Sequence, residues 1–384
     1  MRRICVITGT RAEYGLLSRL MRLIDESVDC QLQIIATNMH LLPEYGDTYQ
    51  EIESDGFTID IKVPMKKNSD DAYGVIDSMA VEMHGMNEAF RRLLPDMVLI
   101  LGDRYEMLVA ATVAMIQRIP ITHLYGGSIT EGAIDDSIRH CITKLSSLHF
   151  TSTEEFRRRV IQLGERPDRV FYVGAIGIEN LKQVSLMSRE ELEASLGFKF
   201  NEHTVMATYH PVTRGNRSPQ EEIDDFLAAI DAFPNLRVLF TMPNSDQGGD
   251  VIKQSIEHYC ALRADRCRSF TSLGMRRYLS ALQHVSAVIG NSSSGLVEVP
   301  SVHIPTLNIG DRQKGRPHGL SVLDCGSDYG AIVAGLNTVL SPAFRHLART
   351  AANPYEKANT AQSIFDVIRT YPLEQLNQKS FYNL

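Results

Sequence analysis

The residues of this chain best placed to move protons gather in two stretches. Asp103 stands in LGDRYE, directly after an apolar run that ends at Leu101, while Glu131, Asp135 and Asp136 stand in YGGSITEGAIDDSIRH. A carboxylate leaving a buried strand is partly desolvated, which raises its proton affinity toward the range useful near neutrality. The same position would let Asp103 cap a helix starting near Tyr105. Asp135 and Asp136 precede Arg139 and His140 by one helical turn, a spacing that serves acid–base work or a plain i,i+4 ion pair equally well.

Anion chemistry has its own residues. Asn291-Ser292-Ser293-Ser294-Gly295 follows an apolar run and opens a stretch bearing Leu296, Val297 and Val299. Hydroxyls and unpaired N–H groups at a helix start suit a phosphate, although the same serines would also serve as ordinary N-caps. Glu298, one turn in, would repel phosphate but could accept hydrogen bonds from ribose hydroxyls. Arg11, Arg104 and Arg312 each follow a strand-like run. Singly, each reads as a solvated arginine, or for Arg11 as a partner of Glu13; together they point to an anionic ligand. His210 leaves another run with Pro211 fixing its exit, and is a phosphate-contact candidate. Neither G-x-G-x-x-G nor G-x-x-x-x-G-K-[ST] is present, so dinucleotide and P-loop readings lack their fingerprints. The 12 histidines contain no H-E-x-x-H, and no metal site is expected.

These residues need elements to hold them. β-branched runs at 4–8, 32–37, 59–63, 97–101, 121–124, 148–151 and 170–173 alternate with helical periods. A second series at 204–209, 236–241, 267–271, 285–289 and 304–307 begins after the polar stretch 185–193, with helical segments such as 220–232 and 250–262 between its strands. The pattern predicts an α/β protein with two Rossmann-like domains whose parallel sheets face a cleft. Residues 1–178 would form the first domain and 179–355 the second, with a helical tail over 356–384 packing back on the first. Ligands of such sheets bind beyond the carboxyl ends of the strands, which is where the polar turns fall. Val75, Met79, Met83, Met86 and Phe90 repeat at helical spacing and read as a core-facing stripe.

Composition narrows the classes. With 43% hydrophobic and 22% charged residues over 384 positions, the chain reads as globular and of about two domains. A net charge of −7, with no long run of either sign, argues against a nucleic-acid surface. The longest apolar stretch, 107–116, is about half a membrane span, and MRRICVITGT reads as a first strand rather than a leader, so no membrane partner is expected. Six cysteines lie far apart without a C-x-x-C pair, as reduced and mostly buried thiols of a cytoplasmic protein would.

Read in order, ITGTRAEYG, TNMH, LGDRYE, DDSIRHCITKLSSLHF, YHPVT, VIGNSSSGLVEVPS and NIGDRQKGR resemble the hydrolysing UDP-N-acetylglucosamine 2-epimerases, across essentially residues 1–340. The resemblance implies a two-domain architecture of the GT-B glycosyltransferase type, with UDP held mainly by the second domain. It implies hydrolysis of UDP-GlcNAc to UDP and N-acetylmannosamine, the opening step of bacterial sialic-acid synthesis, without a cofactor or an obligatory metal, in a homodimer. Relatives acting on UDP-2,4-diacetamido-2,4,6-trideoxyglucose, in legionaminic-type pathways, share the motifs; a GT-B glycosyltransferase or a non-catalytic nucleotide-sugar sensor are further alternatives. Proton-moving roles map onto Asp103 and Asp135; substrate contacts map onto Arg11, Arg104, Arg139, His210, Asn244, Ser292, Ser293, Ser294, Glu298 and Arg312. Two departures stand out. Tyr125 occupies the place of a catalytic glutamate in the H-I-E-G-G of many relatives, and Glu131, in a loop one residue longer, is expected to fold back and supply the missing carboxylate. Leu101 replaces the histidine that some relatives carry before the G-D-R turn, which removes any role for a histidine there.

Overall fold

The computed structural model describes residues 1–65, 71–130, 133–181, 184–212, 217–243 and 248–384. The chain divides into two compact units. One consists of Met1–Ser128, Ile134–Asn180 and Lys357–Leu384, and the other of Ile129–Ala133 and Leu181–Glu356.

The first unit is built on seven parallel strands: β1 (Arg2–Thr8), β2 (Cys30–Thr37), β3 (Ile61–Val63), β4 (Met97–Leu101), β5 (Ile121–Leu124), β6 (Leu148–Thr151) and β7 (Val170–Tyr172). Their order in the sheet is β3-β2-β1-β4-β5-β6-β7, so the winding reverses between β1 and β4. Both faces are covered, as a parallel sheet requires. Along β1, Ile4 and Val6 enter one core cluster while Cys5 and Ile7 enter the other. The helix Thr360–Thr370 belongs to this unit and buries Ala361, Ile364, Phe365 and Ile368 in the first of those clusters. Full burial of each large side chain contributes roughly 1.5–3 kcal/mol. Beyond it, Arg169 donates to the carbonyls of Gln375 at 2.6 Å and Gln378 at 3.1 Å. Lys379 Nζ reaches the buried Glu165 at 2.8 Å, which also accepts from Lys144 at 2.6 Å and His149 at 3.0 Å. Burial alone would raise the Glu165 carboxyl; the histidine and the two lysines outweigh it and hold it at about 2.

The second unit carries six parallel strands: β8 (Thr204–Thr208), β9 (Arg237–Thr241), β10 (Cys267–Phe270), β11 (Ala287–Gly290), β12 (Thr306–Ile309) and β13 (Val322–Cys325). Their order is β10-β9-β8-β11-β12-β13, with the reversal between β8 and β11. Val205, Ala207 and Tyr209 face one cluster and Met206 the other.

Local details depart from the pattern read in the sequence. β13 was not expected, because V-L-D-C puts Asp324 into a four-residue strand. The polar stretch 185–193 contains the start of a helix, Arg189–Leu196, closed by a capping box in which Ser188 and Glu191 satisfy each other's backbone. In the helix Ala72–Leu93 the buried face is Ser78, Glu82, Met86 and Phe90, while Met83 is 42% exposed. Methionines lie on both sides of this helix, so the apolar period could not choose between faces about 100° apart. Cys5, Cys30, Cys260 and Cys267 are buried, whereas Cys141 is exposed.

Candidate active site

Each unit presents its polar turns at the point where its sheet reverses, the position where open parallel sheets bind ligands. In the first unit these are the turns after β1 and β4. Gly9 and Thr10 lead from β1 into the helix Arg11–Asp25, and Thr10 caps it by accepting from the Glu13 N–H at 3.2 Å. In return, Glu13 Oε2 takes the N–H groups of Gly9 at 2.8 Å and Thr10 at 3.1 Å. The Gly9 and Thr10 donors are thus covered by the unit's own carboxyl. Arg11 donates to Glu51 at 2.5 Å, not to Glu13 as one expectation had it.

After β4, Gly102 turns at φ +86° and delivers Asp103, and Arg104 takes the cap position of the helix Tyr105–Ile116. Asp103 Oδ2 accepts from Arg139 Nε at 2.8 Å and from its Nη2. Arg139 Nη1 donates to the Ser128 carbonyl at 2.8 Å and to Asp136 at 3.2 Å. The arginine side chain is 1% exposed, against 23% for Asp103 and 20% for Asp136. Arg139, expected as a substrate contact, is therefore an internal fork joining the two carboxylates. It meets Asp136 three residues away, and His140 makes the i,i+4 approach to Asp136 at 3.8 Å. Asp135 opens the helix Asp135–Leu145 and is half-buried. Arg104 is buried too, with Nε on Glu106 at 2.7 Å. Tyr125 adopts φ +71° and its hydroxyl accepts from the Gly177 N–H at 3.5 Å, so it supplies no carboxylate and packs on the core. Glu131 lies outside the described residues.

Sequence reasoning missed the buried carboxyls beneath these turns. Glu13, Glu82 and Glu106 are all buried. Burial, with repulsion from Glu106, pushes Glu13 up to about 8 and Glu82 well above the usual carboxylate range. Thr10-x-x-Glu13 was a legible capping box; nothing local marks Glu82, which meets Thr37 at 3.1 Å from 45 residues away.

In the second unit the turns follow β8 and β11. Gly290 sits at φ +129°, and a Cβ there would fall 1.9 Å from the Thr208 carbonyl oxygen, so only glycine lets the strands approach. Asn291, fully buried, clasps the neighbouring turn: its Oδ1 accepts from the His210 N–H at 2.7 Å and its Nδ2 donates to the His210 carbonyl at 2.8 Å. His210 is itself 6% exposed. The Asn291 carbonyl accepts from Gln313 Nε2 at 2.9 Å and from Arg312 Nη1 at 3.3 Å, tying the G-D-R-Q loop to the same point. Among the described residues, the backbone N–H groups of Ser292, Ser293 and Ser294 donate to nothing. Three successive N–H groups of this kind, at the start of a helical turn, can donate to an anion. The helix that follows, Ser294–Val297, is a single turn, so any attraction comes from these donors rather than from a long helix dipole. Ser294 Oγ bonds Tyr278 at 2.6 Å. Glu298 is half-buried, and burial pushes it up to about 7 against the Ser294 hydrogen bond. Asn244 lies outside the described residues.

Among the described residues, no group of three or more His, Cys, Asp or Glu side chains could hold a metal ion, and no helix is long and apolar enough to cross a membrane.

The family described as UDP-N-acetylglucosamine 2-epimerase matches residues 22–369. A "GDP/UDP-N,N'-diacetylbacillosamine 2-epimerase (hydrolyzing)" of Campylobacter jejuni is 43% identical over 84% of this chain and 84% of its own. The "Polysialic acid biosynthesis protein P7" of Escherichia coli is 38% identical over 100% of this chain and 98% of its own. Among solved structures, the UDP-GlcNAc 2-epimerase of Neisseria meningitidis bound to UDP-GlcNAc shares the fold, at TM-score 0.81 and 17% identity over 96% of this chain and 99% of that one.

Proposed function

Because the chain belongs to the UDP-N-acetylglucosamine 2-epimerase family, in its hydrolysing branch, we propose that it converts a UDP-linked 2-acetamido sugar and water into UDP and the free 2-epimer. The observation that carries this reading is the contrast at the two reversal points: uncovered N–H donors at Ser292–Ser294, and Asp103 held by buried Arg139, which also meets Asp136, the neighbour of Asp135.

The chemistry asks for both. The C2 proton is not acidic, because no carbonyl adjoins it. Expelling UDP from C1 as the proton leaves C2 gives a 2-acetamidoglucal. Water then adds at C1 while C2 takes a proton on its other face. Elimination needs the leaving diphosphate stabilised, which we assign to the Ser292–Ser294 turn, with Arg312 and His210 beside it and Glu298 toward the ribose. It also needs carboxylates that exchange protons, which we assign to Asp103 and Asp135, with Glu131 as the third candidate. Arg139, Arg104 and Arg11 then position the turns through Asp103, Glu106 and Glu51.

Two sugars fit the reading. The Campylobacter relative favours UDP-N,N'-diacetylbacillosamine, the 2,4-diacetamido-2,4,6-trideoxy substrate. The sequence motifs favour UDP-GlcNAc. Each UDP-sugar incubated in deuterated water and followed by NMR tests both. Free UDP with deuterium at C2 of the inverted sugar is expected, and the higher kcat/KM identifies the substrate. Free UDP without deuterium at C2 would mean simple hydrolysis and defeat the reading. The homodimer that the resemblance implies belongs to the same proposal, and light scattering should give twice the mass of one chain.

A further inference from the structure

We propose that His123 and Thr143 form an uncharged strut that sets the spacing between the Asp103 turn and the helix bearing Asp135, so that both are positioning residues for proton transfer. The proposal rests on the reading above, in which those carboxylates move protons.

His123 lies on β5, inside the sheet, paired in register with Ile100 of β4 and His149 of β6. It is fully buried, and a polar ring there is costly unless both nitrogens find partners. They do, and the partners are informative. Nε2 donates to the Gly102 carbonyl at 2.7 Å, and Nδ1 meets Thr143 Oγ1 at 3.2 Å. A carbonyl can only accept, so the ring proton sits on Nε2 and the threonine hydroxyl donates to Nδ1. Burial holds the imidazole neutral, down to about 3.

The two partners belong to the two elements that matter. Gly102 immediately precedes Asp103. Thr143 lies one turn beyond Arg139 and two beyond Asp135 on the helix Asp135–Leu145. The backbone closes the third side: a Cβ at Gly126 would fall 2.9 Å from Thr143 Oγ1 and 3.1 Å from His123 Nδ1. A second tie between the same elements is the Arg139–Asp103 ion pair, whose carboxylate must change charge if it exchanges protons. A neutral strut holds the geometry while that charge changes, as a plain core histidine bonded to any acceptor would not.

The test uses four variants of the full chain. Thr143→Ser keeps the hydroxyl and should stay within about twofold of wild type. Thr143→Val keeps the shape and should lower kcat about tenfold. His123→Asn reaches Thr143 but not Gly102 and should lower kcat about 100-fold, the scale on which displacements near 1 Å act. His123→Gln restores a donor at the Nε2 position and should recover about tenfold of that loss. KM and UDP affinity should not move in any of them. Wild-type kcat in Thr143→Val, equal losses in His123→Asn and His123→Gln, or a change confined to KM would each overturn the strut. If the wild type releases no UDP, the functional reading fails, and the strut is decided by the imidazole 1H–15N spectrum. A neutral Nε2–H ring from pH 8 to pH 5 supports it; an Nδ1–H tautomer or a cation at pH 5 overturns it.

Discussion

The two sheets share one winding scheme, yet their reversal points are furnished in opposite ways. In the first unit the N–H groups of Gly9 and Thr10 are covered by Glu13, and the arginines near the turns meet carboxylates: Arg11 with Glu51, Arg104 with Glu106, Arg139 with Asp103 and Asp136. In the second unit the turns are joined by the neutral side chain of Asn291, and the N–H groups of Ser292–Ser294 have no acceptor among the described residues. The difference follows from what each must do. A site that exchanges protons needs charges held at fixed separations before the substrate arrives. A site that receives a diphosphate needs donors left uncovered and no carboxylate to compete.

Asp103→Asn challenges the first half of that contrast most directly. It should lower kcat about 10³-fold, within the range of general acid–base contributions, and leave UDP affinity within twofold in calorimetry. A variant that lost UDP binding instead would reverse the division of labour. Next comes Ser293→Asp, which gives the second unit a carboxylate in the manner of Glu13; like-charge repulsion should weaken UDP about 10²-fold, and unaltered affinity would place the nucleotide elsewhere. Arg139→Met leaves Asp103 and Asp136 without the cation they share. Breaking so buried a pair costs about 3 kcal/mol, readable as a lower urea midpoint. The smallest effect is a drift with pH. Burial, and repulsion from Glu106, raise Glu82 well above its ordinary 4.5, so above that pH the unfolded chain ionises while the folded chain keeps its proton. Stability from this group is therefore complete at low pH and is lost as pH rises. Glu82→Gln should match the wild type near pH 4 and become the more stable of the two by pH 8.

Much of this was legible in the order of residues. Strand-like runs ended in G-T-R, G-D-R, H-P and N-S-S-S-G, and the structure puts those turns at the carboxyl ends of β1, β4, β8 and β11. The partners were not legible. Arg139 meets Asp103 from 36 residues away, and Arg11 meets Glu51 from 40. The arginines expected to meet a ligand were indistinguishable, by type and position, from arginines holding the frame. The face of the helix Ala72–Leu93 was likewise undecidable, because Glu82 inside and Met83 outside invert what hydrophobicity alone favours.

From its sequence, this protein's series of strands, turns and helices follows, because φ/ψ preference, capping and apolar period act within a few residues. Which N–H groups are covered and which stay open, and which carboxyls keep their protons, was decided only by tertiary structure. Those outcomes depend on burial and on charges brought together from distant parts of the chain, and neither exists before the sheets close.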